Sequence, residues 1–326
     1  MMTIEAGIYF LNDVNSERLI TPSVWPLDDT MPNDTKYGWH CGGISSNGVT
    51  LSLVDRITYA TDTNTATVRG NLSTVRNKYA ATGNTTDGWY SGGGIGSGLS
   101  SVDRIIYATD TNTAAIRGNL STIRYSHAAA GNSTDGWYGG GYNSSGGLSS
   151  IDRITYATDT NTATVRGNLS TVRNKYAATG NSTDGWYSGG YDGNGGLSSV
   201  DRITYAVDTN TASVRGNLSI NRYDHAASGN STDGWHSAGY NSSGGLSSVD
   251  RITYATDTSI AVVRGNLSTN RYEYAATGNT TDGWYSGGGN SNVYTSSVAR
   301  ITYATDTSTA SIRGNLSIAR YFHAAS

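Results

Sequence analysis

Cysteine is almost missing from this chain of 326 residues. Cys41 stands alone, so no intrachain disulfide can form. Long apolar runs are missing too: no segment approaches the roughly 20 apolar residues of a membrane-spanning helix, and membrane insertion is not expected. Residues 1–20 hold Glu5, Asp13 and Glu17 and lack the basic-then-apolar pattern of a secretory signal. The Asn-X-Ser/Thr triplets at Asn71, Asn119 and Asn168 therefore read as turns rather than glycosylation acceptors. Positive charge is in short supply. The net charge is −3, and 18 of the 19 arginines recur at fixed places instead of forming a run. A nucleic-acid partner would require clustered Lys and Arg, so none is expected. Phenylalanine (2) and proline (3) are scarce while glycine (42) is abundant, a balance that would suit a low-complexity chain. Strict periodicity argues against that, because a disordered chain has no reason to repeat Trp, Tyr, Ile and Arg in register.

The repeat is what the sequence does contain. Gly-Trp recurs at Trp39, Trp89, Trp137, Trp186, Trp235 and Trp284, a period of 48 to 50 residues. Arg-Gly-Asn-Leu-Ser recurs with Arg69, Arg117, Arg166, Arg215, Arg264 and Arg313. Such a period belongs to propeller blades. In one copy, residues 176–181 are small and suit an innermost strand where blades converge. Gly-Trp-Tyr-Ser-Gly-Gly follows a Thr-Asp-Gly turn. Val200–Ala206 is rich in β-formers, and Ala212–Arg215 completes four strands. The expected fold is all-β: a six-bladed propeller of four-stranded blades over residues 36–326, after an N-terminal arm over residues 1–35. The first unit lacks an innermost strand, and residues 320–326 are that strand with nothing after it. Pairing them would complete blade 1 and leave no open edge.

The units share an arginine, a small strand and Tyr-Ala-X-Asp-Thr, and five of the six carry a glycine doublet (Gly42-Gly43, Gly92-Gly93, Gly140-Gly141, Gly189-Gly190, Gly287-Gly288). This pattern resembles the kelch repeat across about residues 36–326. It departs from kelch in placing tryptophan before the doublet and in Ala238-Gly239. Units of the Gly-Trp, Val-Asp-Arg-Ile, Arg-Gly-Asn-Leu kind are also similar to repeats in virion proteins of tailed bacteriophages, including cyanophages. That resemblance implies a tail, fibre or capsid-surface component, located in the virion and made in the host cytoplasm. Its partners would be other virion proteins and a host-surface glycan or receptor. An inert decoration protein and a glycan-acting propeller enzyme are the alternatives.

Candidate residues lie where the repeat is broken. In the arm, Ile8, Tyr9, Phe10, Leu11 and Trp25 are apolar enough to anchor an assembly. After the glycine doublets the loops diverge, and Tyr142, Asn143, Tyr191, Asp192, Tyr240, Asn241 and Tyr294 supply the rigid aromatics and adaptable polar groups of binding loops. Adjacent Asp201 and Arg202 should point to opposite faces of their strand and pair across blade interfaces. Ala299 replaces that aspartate in the last unit, by drift or where the arm packs. His127, His225 and His323 alternate with Tyr79, Tyr176 and Tyr274. Three imidazoles on one axis would make a metal site. A doubled two-blade unit accounts for the alternation without one, as the matching residues 142–148 and 240–246 suggest, so no metal is expected. The glycine runs precede loops rather than helices and are not phosphate-binding signals. No nucleophile-elbow or metal-binding His/Glu motif is present, so neither cofactor nor catalysis is expected.

Overall fold

The computed structural model describes residues 36–95, 98–290 and 293–326. The arm, with Ile8, Tyr9, Phe10, Leu11 and Trp25, lies outside them. Among the described residues, six four-stranded antiparallel sheets ring a channel, making a six-bladed β-propeller. Blade 4 shows the plan. Ala177–Gly180 is innermost, followed outward by Asp184–Ser188, Ser199–Thr204 and Ser213–Asn217. The inner strands carry only Ala, Ser, Thr and Gly because six of them converge on one axis.

The third strand is shorter than expected. It ends at Thr204, and Tyr205–Val207 forms a 3-10 turn. The turn brings the Tyr205 ring onto Trp137 of the preceding blade, with centroids 3.7 Å apart and planes 6° from parallel. It also places Asp208 to accept hydrogen bonds from Trp137 Nε1 (2.7 Å), Arg153 Nη1 (3.2 Å) and Arg166 Nε (2.8 Å). The outer strand runs longer than expected, to Asn217. Its Gly216 N–H donates to the Asp257 carbonyl of the next blade at 2.6 Å. A Cβ on Gly216 would lie 1.9 Å from the Ser259 carbonyl oxygen, so the Arg-Gly-Asn run needs glycine in order for adjacent blades to touch.

The ring closes as the repeat boundaries implied. Ala324–Ala325 pairs with His40 and Cys41 as the inner strand of blade 1, and Ser326 exchanges backbone bonds with Trp39. Arg320–Tyr321 forms a separate short ribbon with Ile44–Ser45. The seam between blades 6 and 1 repeats the chemistry of the others. Trp284 stacks on Tyr59 at 3.7 Å, and Asp62 accepts from Trp284, Arg300 and Arg313.

Asp201 and Arg202 do diverge. Arg202 Nη1 reaches Asp257 in the next blade at 3.2 Å. Asp201 is fully buried and pairs at 3.1 Å with Arg173, on the link arriving from the previous blade. It also accepts from Ser170 N (2.6 Å) and Oγ (2.7 Å). Ala299 sits at the equivalent place in blade 6, packed in the core beside Tyr285 and Ile301. Removing one partner of a buried pair strands the other charge. Asp201→Ala should therefore cost about 3–5 kcal/mol in urea unfolding, and a loss under about 1 kcal/mol would place the pair with ordinary surface bridges.

Candidate ligand-binding site

One position per repeat, two residues after the link arginine, breaks the pattern completely. It holds Lys78, Ser126, Lys175, Asp224, Glu273 and Phe322. All six lie in the left-handed region, at φ of +52° to +60°. Each backbone N–H donates to the carbonyl of the equivalent residue in the blade before it, at 2.6–3.0 Å, and the six bonds close a circle around the channel mouth. Left-handed backbone costs a non-glycine residue about 1–2 kcal/mol. Glycine would spare that cost, yet none of the six is glycine. Strain of this kind at six equivalent positions makes their side chains candidates for a functional role.

Those side chains divide the mouth by charge. Lys175 Nζ bonds Asp224 Oδ2 at 3.1 Å. Burial pulls the Lys175 ammonium down, but Asp224 outweighs it and holds the ammonium above its usual range. Burial likewise raises the Asp224 carboxyl against the opposing lysine. Glu273 is pushed up to about 7, chiefly by burial and then by the Asp224 carboxylate. Lys78 lies over the Phe322 ring, 4.5 Å from its centroid.

Next to the mouth, Lys78, Tyr125, Ser126, Tyr142, Asn174, Lys175, Tyr191 and Tyr223 line an open groove of about 440 Å³. The loops after the glycine doublets thus meet the variable links. Tyr142 and Tyr125 exchange backbone bonds, as do Tyr191 and Asn174, and Tyr240 and Tyr223. Ring contacts at 5.5–5.7 Å string Tyr191, Tyr223, Tyr240 and Tyr272 along the rim.

Of the rim residues expected from sequence, Tyr142 and Tyr191 line the groove. Tyr240 continues the aromatic string. Tyr294 stacks on Tyr321 at 3.8 Å, away from the groove. The polar ones turn inward to their own loops. Asn143 accepts from Ser145 N, Asp192 from Asn194 N and Gly195 N, and Asn241 from Ser243 N. Lys78, Lys175, Tyr125 and Tyr223 also line the groove, although no sequence motif marks them. Their signal was available in the variability of the two positions after each link arginine.

His127, His225 and His323 also reach the mouth but do not converge on its axis as ligands. Their Nε2 atoms bond Ser91, Ser188 and Ser286 respectively, at 3.0–3.3 Å. Burial, and then neighbouring charge, holds all three well below the usual imidazole range. Among the described residues, no group of three His, Cys, Asp or Glu side chains is placed to hold a metal ion.

Fold and mouth together define a six-bladed β-propeller that carries a charged, tyrosine-lined face on one end. No protein-family model matches the chain, and no curated protein matches it.

Glu273 leads to a pH test. Its unfolded carboxyl ionises near 4.5 and its folded one near 7. Between those values the folded state holds more protons, so this group lowers stability as pH rises, and the penalty is complete above about 7. Glu273→Gln should gain stability over the parent across that window and stay parallel to it outside. Parallel profiles throughout would contradict the assignment.

Proposed function

We propose that the chain is a non-enzymatic attachment module of a tailed-bacteriophage virion, presenting its mouth and tyrosine-lined groove to a glycan on the host surface. The observation that carries this reading is the groove itself. Four tyrosines and two of the chain's three lysines are collected there, on a scaffold whose constant residues are used in holding blades together. Tyrosine faces stack on the C–H faces of sugar rings, and Lys78 and Lys175 suit hydroxyl or carboxylate groups. The likeness of the repeats to those of phage virion proteins supports display on a particle. Residues 1–35 would join the propeller to other virion proteins.

Purely structural decoration is favoured by a different observation, the self-satisfied turns at Asn143, Asp192 and Asn241. Catalysis has less to support it. Ser188 bonds His236 Nδ1 at 2.7 Å and His225 Nε2 at 3.3 Å, as a nucleophile would a base. All three are buried. Burial and Arg222 hold His236 down to about 3, which leaves a weak base out of substrate reach.

Binding of host-surface polysaccharide by the full chain, followed by calorimetry, is the test. Tyr142→Ala, Tyr191→Ala and Lys78→Gly should each weaken it by about tenfold or more, equivalent to about 1.4 kcal/mol. Lys78→Gly is informative because it relieves left-handed strain and so should not unfold the protein. Unchanged affinity in all three, or no binding by the parent, would leave the decoration reading; turnover of the polysaccharide would support an enzyme. Deleting residues 1–35 should abolish incorporation into particles under either virion reading, and full incorporation without them would refute the anchor.

A further inference from the structure

Five of the six link arginines are neutralised in the same way. Arg76, Arg124, Arg173, Arg222 and Arg320 are fully buried and pair with Asp103, Asp152, Asp201, Asp250 and Asp55 at 2.8–3.1 Å. Each of those carboxylates also accepts a backbone N–H and a hydroxyl from one serine: Ser73, Ser121, Ser170, Ser219 and Ser317. In blade 6 the arginine is Arg271 and the serine is Ser268, but the carboxylate position holds Ala299.

The donors remain. Arg271 is 1% exposed and Ala299 is 0% exposed. Arg271 Nη1 donates to the carbonyls of Tyr285, Gly287 and Ser297, each at 3.3 Å, and Nη2 to Ser297 Oγ at 3.1 Å. These are neutral acceptors. Among the described residues no carboxylate forms an ion pair with Arg271, and the buried Ser268 Oγ has no hydrogen-bond partner. Arginine does not shed its proton, so its charge stays buried and uncompensated, the costly case for a buried ion.

We propose that this position is a binding site for a small monovalent anion, formate or a halide such as chloride, seated between Arg271 Nη2 and Ser268 Oγ. Formate supplies what alanine lacks relative to aspartate: one carboxylate. A halide presents the same single charge to the same donors. The site is separate from the mouth and from the attachment role: Glu273, two residues along the same link, lines the mouth, whereas Arg271 and Ala299 are buried in the core of blade 6.

Thermal unfolding of the full chain at constant ionic strength tests this, with gluconate replaced stepwise by formate, chloride or bromide. The midpoint should rise by about 2 °C for each tenfold increase in anion above its dissociation constant. Ala299→Asp supplies the charge internally. It should melt higher than the parent in gluconate and no longer respond to the small anions. Ser268→Ala should weaken the response. Crystals grown in bromide should show anomalous density within bonding distance of Arg271 Nη2. An equal response in the parent and Ala299→Asp would overturn the proposal, as would bromide density that leaves this position empty. If Ala299→Asp does not fold, the bromide position and Ser268→Ala decide between the same two outcomes.

Discussion

Each blade is held to the next by one carboxylate that collects three donors. Asp110, Asp159, Asp208, Asp257, Asp306 and Asp62 each accept an indole N–H and bonds from two arginines, all from the preceding blade. The same tryptophan stacks on the tyrosine three residues before the aspartate, at 3.7–3.8 Å. Hydrogen bonds to charged groups contribute about 1.5–3 kcal/mol each, against about 0.5–1.5 for an aromatic pair. The carboxylate is therefore the stronger half of the joint, and the stacked rings cover it from water. Every blade gives at one interface and accepts at the other. Only a closed circle satisfies all six, so pairing Ala324–Ala325 into blade 1 is part of the electrostatics as well as the sheet.

That constraint uses up the constant residues. Tryptophan, the Tyr-Ala-X-Asp turn and all three arginines of each unit have structural partners, which leaves function to positions the scaffold does not claim. The left-handed ring at the mouth is the clearest of these. Its backbone is shared by all six blades through one circle of bonds, while its side chains run from lysine through serine and acid to phenylalanine. Constant geometry with variable chemistry is the combination a recognition surface needs. The tyrosines from the neighbouring loops give it breadth.

The scaffold was legible in the sequence because its contacts recur with the period. Gly-Trp, Val-Asp-Arg-Ile and Arg-Gly-Asn-Leu each occupy one place in one blade, and the unpaired ends of the first and last units pointed to closure. The candidate site was legible only in part. Tyr142 and Tyr191 stood out as loop aromatics, whereas Lys78 and Lys175 lie two residues after an arginine that recurs in every unit and belong to no loop or motif. Their left-handed backbone, which turns them into the mouth, has no glycine to announce it. Asn143, Asp192 and Asn241 were read as ligand groups because a sequence cannot tell a polar side chain that faces solvent from one that closes its own turn.

The sequence by itself determined the blade, its strand order and the number of copies, because a repeated pattern of β-formers, turns and glycines encodes local geometry directly. It also determined that one copy lacks an aspartate. Only the tertiary structure decided what that lack means. Arg271 and Ala299 are 28 residues apart in the chain, and their relation depends on a link from one blade entering the core of the next. The same holds for the mouth, where six residues from six units meet through a ring of bonds that no single repeat can form.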